Sequence, residues 1–248
     1  MKITLYDFPA KTGLDGWDSY SPFVLQASRA LRFAGLEFEH AYANMVRLKE
    51  LNPAGQLPVV VFGDEKVADS TRIMKRIEEL KPGVFSKDLD ARGKAEAWLW
   101  EELADTLLYP FVLASRWADD RGWHVPRDAF FGALPPVVRT IVASTIRRGT
   151  VKKLVERDFL RNGLDACYAR MATALDDLDA RAPSEGFWLG PNVTAADIGL
   201  FAQLHSLRMP VVEHTAAEVA KRKELTRYLD RVDEATRAAT GSDRSRPD

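Results

Sequence analysis

The first 35 residues space their apolar side chains first as in a strand and then as in a helix. Residues 3–6 form a short run rich in β-branched and aromatic side chains, and a polar loop follows it as far as residue 20. From Pro22, apolar residues recur at steps of three and four up to Ala34, which predicts an amphipathic helix. Ser21 suits the N-cap of this helix, Pro22 its first turn and Gly35 its C-terminal stop.

A second strand follows this helix, because apolar or aromatic side chains recur at every second position from Leu36 to Tyr42. A strand, a helix and a strand joined in this way normally form a right-handed parallel crossover. The pattern therefore predicts a parallel pair of strands at the start of an α/β domain.

A hairpin and another helix complete the unit. Residues 59–62 are fully apolar, and the Gly63–Asp64 pair turns the chain into a further strand at residues 66–68. Ser70 suits the N-cap of a helix that ends near Leu80. The predicted order is βαβ followed by ββα, over residues 1–82.

From about residue 88 the strand signals disappear. Helical patterns cover residues 91–118, 134–148, 164–182, 194–207 and 225–239, and Pro110 predicts a kink or break in the first of them. Thr194 and Asp197 have the spacing of a capping box, a signal that concerns folding. We therefore predict an all-helical domain at residues 90–240, with residues 241–248 forming a disordered tail.

Composition narrows the class of protein. The chain has 248 residues, a formal net charge of −1 and a pI near 6.5, which argues against a protein that binds nucleic acid through a basic surface. No apolar run approaches the roughly 18 residues of a membrane span, and residues 1–8 lack the apolar core of a signal peptide. The lone cysteine, Cys167, excludes an internal disulfide and a clustered cysteine metal site. We expect a soluble cytoplasmic protein without a metal.

Four short motifs stand in order along the chain, and together they resemble the glutathione transferase superfamily. They are SPF at residues 21–23, NPAGQLP at 52–58, ADS at 68–70 and the cap at 194–197. The resemblance covers nearly the whole chain and implies a thioredoxin-like N-terminal domain followed by a helical domain. The long loop before SPF, RWADDRGW at 116–123 and FFGALPP at 130–136 are most similar to the failed-axon-connections and metaxin-like branch.

The resemblance implies a site for glutathione. In the superfamily the proline equivalent to Pro58 follows a cis peptide bond, so that the backbone of Leu57 pairs with the cysteinyl unit of glutathione. Asp69 and Ser70 stand where the family holds the charged γ-glutamyl end. The glycine carboxylate needs a cation or an amide, for which Gln56, Arg47 and Lys49 are the candidates.

By the same resemblance, Ser21 occupies the place of a cysteine or serine at the start of the first helix. A hydroxyl there donates to the glutathione sulfur, and the helix N-terminus favours the thiolate. Ser19, Tyr20 and Tyr6 are alternative donors, because the long loop leaves the alignment uncertain by a residue or two. Without a cysteine in the motif, disulfide exchange is disfavoured, and Cys167 is predicted to be a packing residue.

The cleft between the domains is the expected site for an electrophilic co-substrate. Six aromatic residues are candidates for its walls, of which we expect one or two to take part: Trp98, Trp100, Tyr109, Phe111, Trp117 and Trp123. His124 is interpreted as an exposed loop residue. A basic cluster at residues 147, 148, 152, 153 and 157 is interpreted as a solvated face.

The resemblance therefore implies a glutathione transferase that conjugates glutathione to a small electrophile, with a role in detoxification. The main alternative is a non-catalytic interaction protein that retains the fold, and a third hypothesis is a glutathione-dependent dehalogenase or isomerase. The resemblance also implies a homodimer, which is common in the superfamily, although no residue of this sequence specifies an interface.

Overall fold

The computed structural model describes residues 1–237, so the predicted tail and the end of the last predicted helix lie outside the described residues. Within this range the N-terminal domain contains a mixed sheet of strands β1 (Ile3–Asp7), β2 (Glu39–Tyr42), β3 (Val59–Phe62) and β4 (Glu65–Ala68). Their order in the sheet is β2-β1-β3-β4. The first two pair in parallel and the other neighbours are antiparallel, which confirms the predicted thioredoxin-like topology.

Helices α1 (Pro22–Phe33) and α3 (Ser70–Leu80) contribute their apolar faces to the core of this domain, and the short α2 (Leu48–Leu51) follows a turn of 3-10 helix. Two corrections concern helix starts. The turn and α2 were not predicted, and α3 is capped by Asp69 rather than by Ser70. Asp69 has a φ of 83°, a left-handed conformation that aspartate and asparagine tolerate better than most residues.

The helical domain packs against the N-terminal domain and has its own core. Its helices are α4 (Ala91–Leu103), α5 (Tyr109–Leu113), α6 (Asp120–Phe131), α7 (Pro136–Glu156), α8 (Gly163–Arg181), α9 (Ala195–Leu207), α10 (Glu213–Ala220) and α11 (Lys223–Arg237). No helix among residues 1–237 has the length and apolar character needed to cross a bilayer.

Of the kink or break predicted at Pro110, the break is absent. The helical path runs from Ala91 to Ala118, with π-helical turns at Ala104–Leu108 and Ala114–Ala118 on either side of α5. Proline has no N–H to donate, and Pro110 lies in the first turn of α5, where the wider preceding turn accommodates it.

Helix α6 was missed, and His124, which was expected in a loop, lies within it. Its position depends on Gly122, because a Cβ at this residue would lie 1.9 Å from the carbonyl oxygen of Ser115. The start of α6 therefore contacts the backbone of the π turn at Ala114–Ala118 directly. Helix α7 was predicted too short, and α10 was not predicted.

A buried polar cluster links the two domains. Glu101 of α4 accepts hydrogen bonds from Gln26 of α1 (2.8 Å) and Thr71 of α3 (2.7 Å). One turn further on, Asp105 accepts from Gln203 of α9 (2.9 Å). Burial, together with the negative charge of Glu101, raises the pKa of Asp105 from 3.8 to about 8.

Replacing Asp105 by asparagine is expected to stabilise the protein at alkaline pH. Between pH 3.8 and about 8, Asp105 is protonated in the folded state and ionised in the unfolded state. The stability that this difference contributes is present in full at low pH and is lost as the pH rises through about 8. Asp105→Asn keeps the acceptor for Gln203 and removes this loss, which is about 1–3 kcal/mol for a partly exposed group. Urea unfolding at pH 5 and pH 9 checks it, and an equal pH dependence in both proteins would contradict it.

Candidate functional site

The register of the sheet gathers the predicted site residues at one of its ends. Tyr6 pairs with Val59, and Val59 pairs with Ala68, so the next residues outward are Asp7, Pro58 and Asp69. Helices α1 and α3 both begin at this end. Two helix N-termini therefore supply unpaired N–H groups and positive partial charge to one small region.

Ser21 is the N-cap of α1, as predicted. Its Oγ accepts from the N–H of Val24 at 3.4 Å, and its backbone is extended. The side chain is half-buried, and its hydroxyl proton is not donated to any of residues 1–237. The hydroxyl is therefore free to donate to a ligand while its oxygen caps the helix.

Ser19 has a supporting position instead. It is 1% exposed, donates to Asp7 Oδ1 at 2.9 Å and accepts from the N–H of Ser21 at 3.0 Å. Asp7 is also buried, and its other oxygen lies 3.1 Å from His40 Nε2. Burial raises the pKa of Asp7, and the hydrogen bonds from His40 and Ser19 oppose this effect. This network fixes the backbone immediately before α1.

The long loop before α1 is held by buried groups of both domains. Arg29 is fully buried, donates to the carbonyl oxygen of Gly16 at 2.7 Å and pairs with Asp18 and Asp233. The Trp17 ring stacks on His205 with 4.3 Å between centroids. Burial lowers the pKa of His205 to about 3, so that the imidazole is neutral. Residues 16–18 of the loop are thus anchored to both domains.

The two tyrosine alternatives occupy different surroundings. Tyr20 is half-buried beside Ser21, and its carbonyl oxygen accepts from Arg116 at 2.6 Å. Tyr6 lies on the opposite face of the sheet from Asp7, because successive side chains of a strand alternate between faces. The network around Ser19 and Ser21 therefore lies on the face away from Tyr6.

The peptide bond between Leu57 and Pro58 is cis. The carbonyl oxygen of Pro58 accepts from the N–H of Asp69 at 3.3 Å, which ties this turn to the start of α3. Neither the N–H nor the C=O of Leu57 forms a hydrogen bond with any of residues 1–237. An extended peptide could therefore pair with Leu57.

Asp69, rather than the predicted Ser70, caps α3. Asp69 Oδ1 accepts from the N–H of Arg72 at 3.1 Å, so one carboxylate oxygen caps α3. Ser70 is the first residue of α3 and is 3% exposed. The hydrogen bond from the N–H of Asp69 to the carbonyl oxygen of Pro58 places this helix start next to the cis peptide bond.

The candidates for the glycine carboxylate differ in availability. Arg47 forms a bidentate salt bridge with Glu50, with Nη2 2.6 Å from Oε2. Lys49 and Gln56 are exposed, and the carbonyl oxygen of Gln56 accepts from Asn52 at 2.8 Å. The structure therefore leaves Lys49 and the Gln56 amide less engaged than Arg47.

Most of the six predicted aromatic residues belong to the core. Phe111 is fully buried, Trp100 packs on Trp188, and Trp98 lies against Lys75. Tyr109 packs on Phe23, and burial raises the pKa of its hydroxyl to about 12.

Only Trp117 and Trp123 of the six join an aromatic group beside the site. That group also contains Phe8, Tyr20 and Phe130, of which Phe8 and Phe130 were not among the predicted site residues. In sequence, Phe8 offers only a weak signal, as an aromatic residue directly after a strand.

Two further predictions can be compared with the structure. Cys167 is buried in the helical core, and burial raises the pKa of its thiol to about 11, which agrees with a packing role. Arg147 is not part of a solvated face, because it donates to the carbonyl oxygens of Trp117 and Ala118 and pairs with Asp120. Among residues 1–237, no group of three or more His, Cys, Asp or Glu side chains is arranged to hold a metal.

Comparison with known families agrees with this architecture. Residues 22–122 match the model of the glutathione S-transferase N-terminal domain, and residues 161–231 match that of the glutathione S-transferase C-terminal domain. The chain belongs to the glutathione S-transferase superfamily, and this membership supports glutathione transferase activity on an electrophile.

Individual proteins are similar to this chain over nearly its whole length. The isoprene-epoxide–glutathione S-transferase of Rhodococcus sp. (strain AD45) is 26% identical over 245 residues, which cover 93% of this chain and 97% of that protein. Among solved structures, glutathione transferase GSTFuA3 from Phanerochaete chrysosporium has a TM-score of 0.65 at 18% identity, covering 95% of this chain and 97% of that one. Beta-etherase LigF from Sphingobium sp. strain SYK-6 has a TM-score of 0.61 at 18% identity, covering 96% and 98%. These two structures share the fold.

Proposed function

We propose that this protein is a glutathione transferase that holds glutathione at the sheet end formed by Leu57, Asp69 and Ser21 and joins its sulfur to a small electrophile. The observation that carries the proposal is the unpaired backbone of Leu57 beside the N-termini of α1 and α3. A scaffold protein would have no use for an unpaired edge next to two helix starts.

In the proposed complex each part of glutathione meets a matching group. The N–H and C=O of Leu57 pair with the cysteinyl unit as an added strand would. The first turn of α3, including Ser70, binds the α-carboxylate of the γ-glutamyl end, and the free oxygen of Asp69 accepts from its ammonium. Lys49 or Gln56 meets the glycine carboxylate.

This placement brings the cysteinyl sulfur to the N-terminus of α1, where Ser21 donates its hydroxyl hydrogen. The thiol releases its proton to solvent, and the thiolate attacks an electrophilic carbon to form a C–S bond. The electron pair of the broken bond leaves with a halide, or with an epoxide oxygen that then takes a proton from water. The protein supplies placement and charge stabilisation without a covalent intermediate.

The finer assignments are part of this proposal. We place the chain in the failed-axon-connections and metaxin-like branch on the strength of the SPF motif, the long preceding loop and the FFGALPP segment. We further propose that it acts in the cytoplasm, in detoxification, as a homodimer. The relative from Rhodococcus sp. (strain AD45) is named for an epoxide, which supports the conjugation of electrophiles.

Calorimetric titration with reduced glutathione tests the site. We expect binding by the wild type and a loss of at least about tenfold in affinity for Asp69→Asn, because one charge-assisted hydrogen bond to the ammonium disappears. Asparagine tolerates the φ of 83° and still caps α3, so the fold should be kept. The double variant Asp69→Ala, Ser70→Ala is expected to abolish binding.

A matched double variant at exposed positions of the helical domain, Asp177→Ala, Ser184→Ala, serves as the control and should bind like the wild type. Thermal unfolding of every variant separates a binding loss from a folding loss. Absence of wild-type binding at millimolar glutathione would contradict the proposal and favour an interaction protein that retains the fold.

A further inference from the structure

Helix α7 packs against the rest of the protein along only one of its sides. Of its 21 residues, only Ala143 and Leu154 are buried. Arg147 holds the same side by donating to carbonyl oxygens of the π turn at Ala114–Ala118. The helix also lies between the two stretches that match the family models, so neither matched domain includes it. The opposite side of α7 is exposed.

The exposed side carries a stripe of aliphatic and basic residues. Val137 is 73% exposed, Ile141 63% and Val155 44%. Arg148 and Lys152 lie between Ile141 and Val155 along the helix, and both are exposed. At about 3.6 residues per turn, these five positions fall within a sector of about 60° and extend over about 27 Å. The stripe is therefore one continuous face of α7.

The helix is strongly positive in a chain whose charges otherwise nearly balance. Residues 136–157 contain six Lys or Arg residues and one acidic residue, Glu156, whereas the whole chain has a formal net charge of −1. Arg148 forms no salt bridge with any of residues 1–237, and Lys152 has an exposed pair with Glu156 at 3.7 Å. Such an exposed pair contributes little and leaves the lysine available. The stripe therefore complements a negatively charged surface.

The mixture of residue types distinguishes between the possible occupants of this face. A second copy of α7 laid against it would bring Arg148 and Lys152 of both copies together, and like charges oppose such pairing. Nucleic acid would meet the cations but leave Val137 and Ile141 in water. A bilayer with anionic lipid suits both kinds of residue, because aliphatic side chains enter the boundary of the acyl chains and long basic side chains reach the phosphates.

We propose that α7 docks the protein on membranes that contain anionic phospholipid, with the helix lying in the plane of the surface. Val138, which is 45% exposed and flanks the stripe, widens the aliphatic contact. Binding by such a helix depends on its buried apolar area together with the attraction of its cations to the lipid charge. Both contributions are therefore needed, and salt weakens the second.

Co-sedimentation with lipid vesicles tests this inference. The wild type should bind vesicles of phosphatidylcholine with about 30% phosphatidylglycerol, and about fivefold less with phosphatidylcholine alone or in about 0.5 M salt. Two double variants, Val137→Gln, Ile141→Gln and Arg148→Gln, Lys152→Gln, should each lower the affinity for the anionic vesicles about tenfold. Glutamine has a high helix propensity, so α7 should stay folded.

Matched changes at exposed positions of α4 serve as controls. Leu99→Gln removes an aliphatic side chain that is 68% exposed, and Arg92→Gln, Lys94→Gln removes two exposed cations. Both controls should bind the anionic vesicles like the wild type, and thermal unfolding of every variant separates a binding loss from a folding loss. Because the assay contains no glutathione, its result does not depend on the proposed function.

Three results would overturn the docking role of α7. The first is a wild type that does not sediment with anionic vesicles, and the second is binding by both α7 variants at the wild-type level. The third is a loss confined to Arg148→Gln, Lys152→Gln, since a purely ionic surface fits an acidic protein or nucleic acid instead. If vesicle binding is absent and Val137→Gln, Ile141→Gln converts a dimer to a monomer in size-exclusion chromatography, the face belongs to a second copy of the chain.

Discussion

Asp197→Ala is expected to lower the free energy of unfolding by about 3–5 kcal/mol, the loss that follows when the partners of a buried charge are left unpaired. Asp197 is 0% exposed and accepts from the N–H of Trp188 at 2.7 Å. It also accepts from the N–H and hydroxyl of Thr194, at 2.8 and 2.7 Å, and from the hydroxyl of Tyr228 at 2.8 Å. One carboxylate thus joins the start of α9, the preceding loop and α11.

Each of these donors would be buried without a partner in the alanine variant. Because a single domain is stabilised by only about 5–15 kcal/mol in total, we expect much of the variant to be insoluble or unfolded at 37 °C. Asp197→Asn should lose less, since its amide oxygen still accepts while its NH₂ group faces donors.

Urea unfolding followed by circular dichroism checks this expectation, with Asp177→Ala as the control at an exposed aspartate. The control should lie within about 0.5 kcal/mol of the wild type. An Asp197→Ala midpoint close to that of the wild type would show that the network is dispensable.

The features that could be predicted from the sequence are those that local residues determine. The Ser21–Pro22 step defines the start of α1 because the cap and the fixed φ of proline act within a few residues. The capping box at Thr194 and Asp197 is present as the spacing indicated. The hairpin of β3 and β4 likewise follows from an apolar run and a glycine turn.

Other features depend on contacts between distant residues and carry little local signal. Helix α6 contains a glycine and a proline, which lower helix propensity, yet it forms because Gly122 lets it contact the π turn at Ala114–Ala118. Asp69 and Ser70 are equally suitable N-cap residues by type, and it is the folded backbone that makes Asp69 the cap of α3.

In the candidate site, the sequence pointed to the motif residues but not to the residues that contact and position them. Nothing in the sequence links Asp7 to Ser19 or brings Phe130 to Phe8, because these pairs are 12 and 122 residues apart and meet only in the folded chain. The geometry also assigns Ser19 a supporting position, a distinction that the alignment of a long loop could not make.

Ser21→Ala is expected to lower kcat by about 10²–10³-fold, the usual effect of removing a donor to developing or localised negative charge. Glutathione affinity should change far less, because Leu57, Asp69 and Ser70 hold the rest of the peptide. The loss of the cap on α1 is expected to cost about 1 kcal/mol of stability, which leaves the fold intact.

The pH dependence of the reaction gives the decisive measurement for Ser21. Without the Ser21 hydroxyl, the pKa of the thiol of bound glutathione rises toward the value of about 8.5 for a free thiol. The activity of the variant should therefore still increase up to about pH 9, where the activity of the wild type has already levelled off. Ser19→Ala should act mainly on stability, since Ser19 donates to Asp7 and is buried. An unchanged kcat and an unchanged pH profile for Ser21→Ala would transfer the role of donor to Tyr20 or Tyr6, and Tyr20→Phe and Tyr6→Phe would then distinguish them.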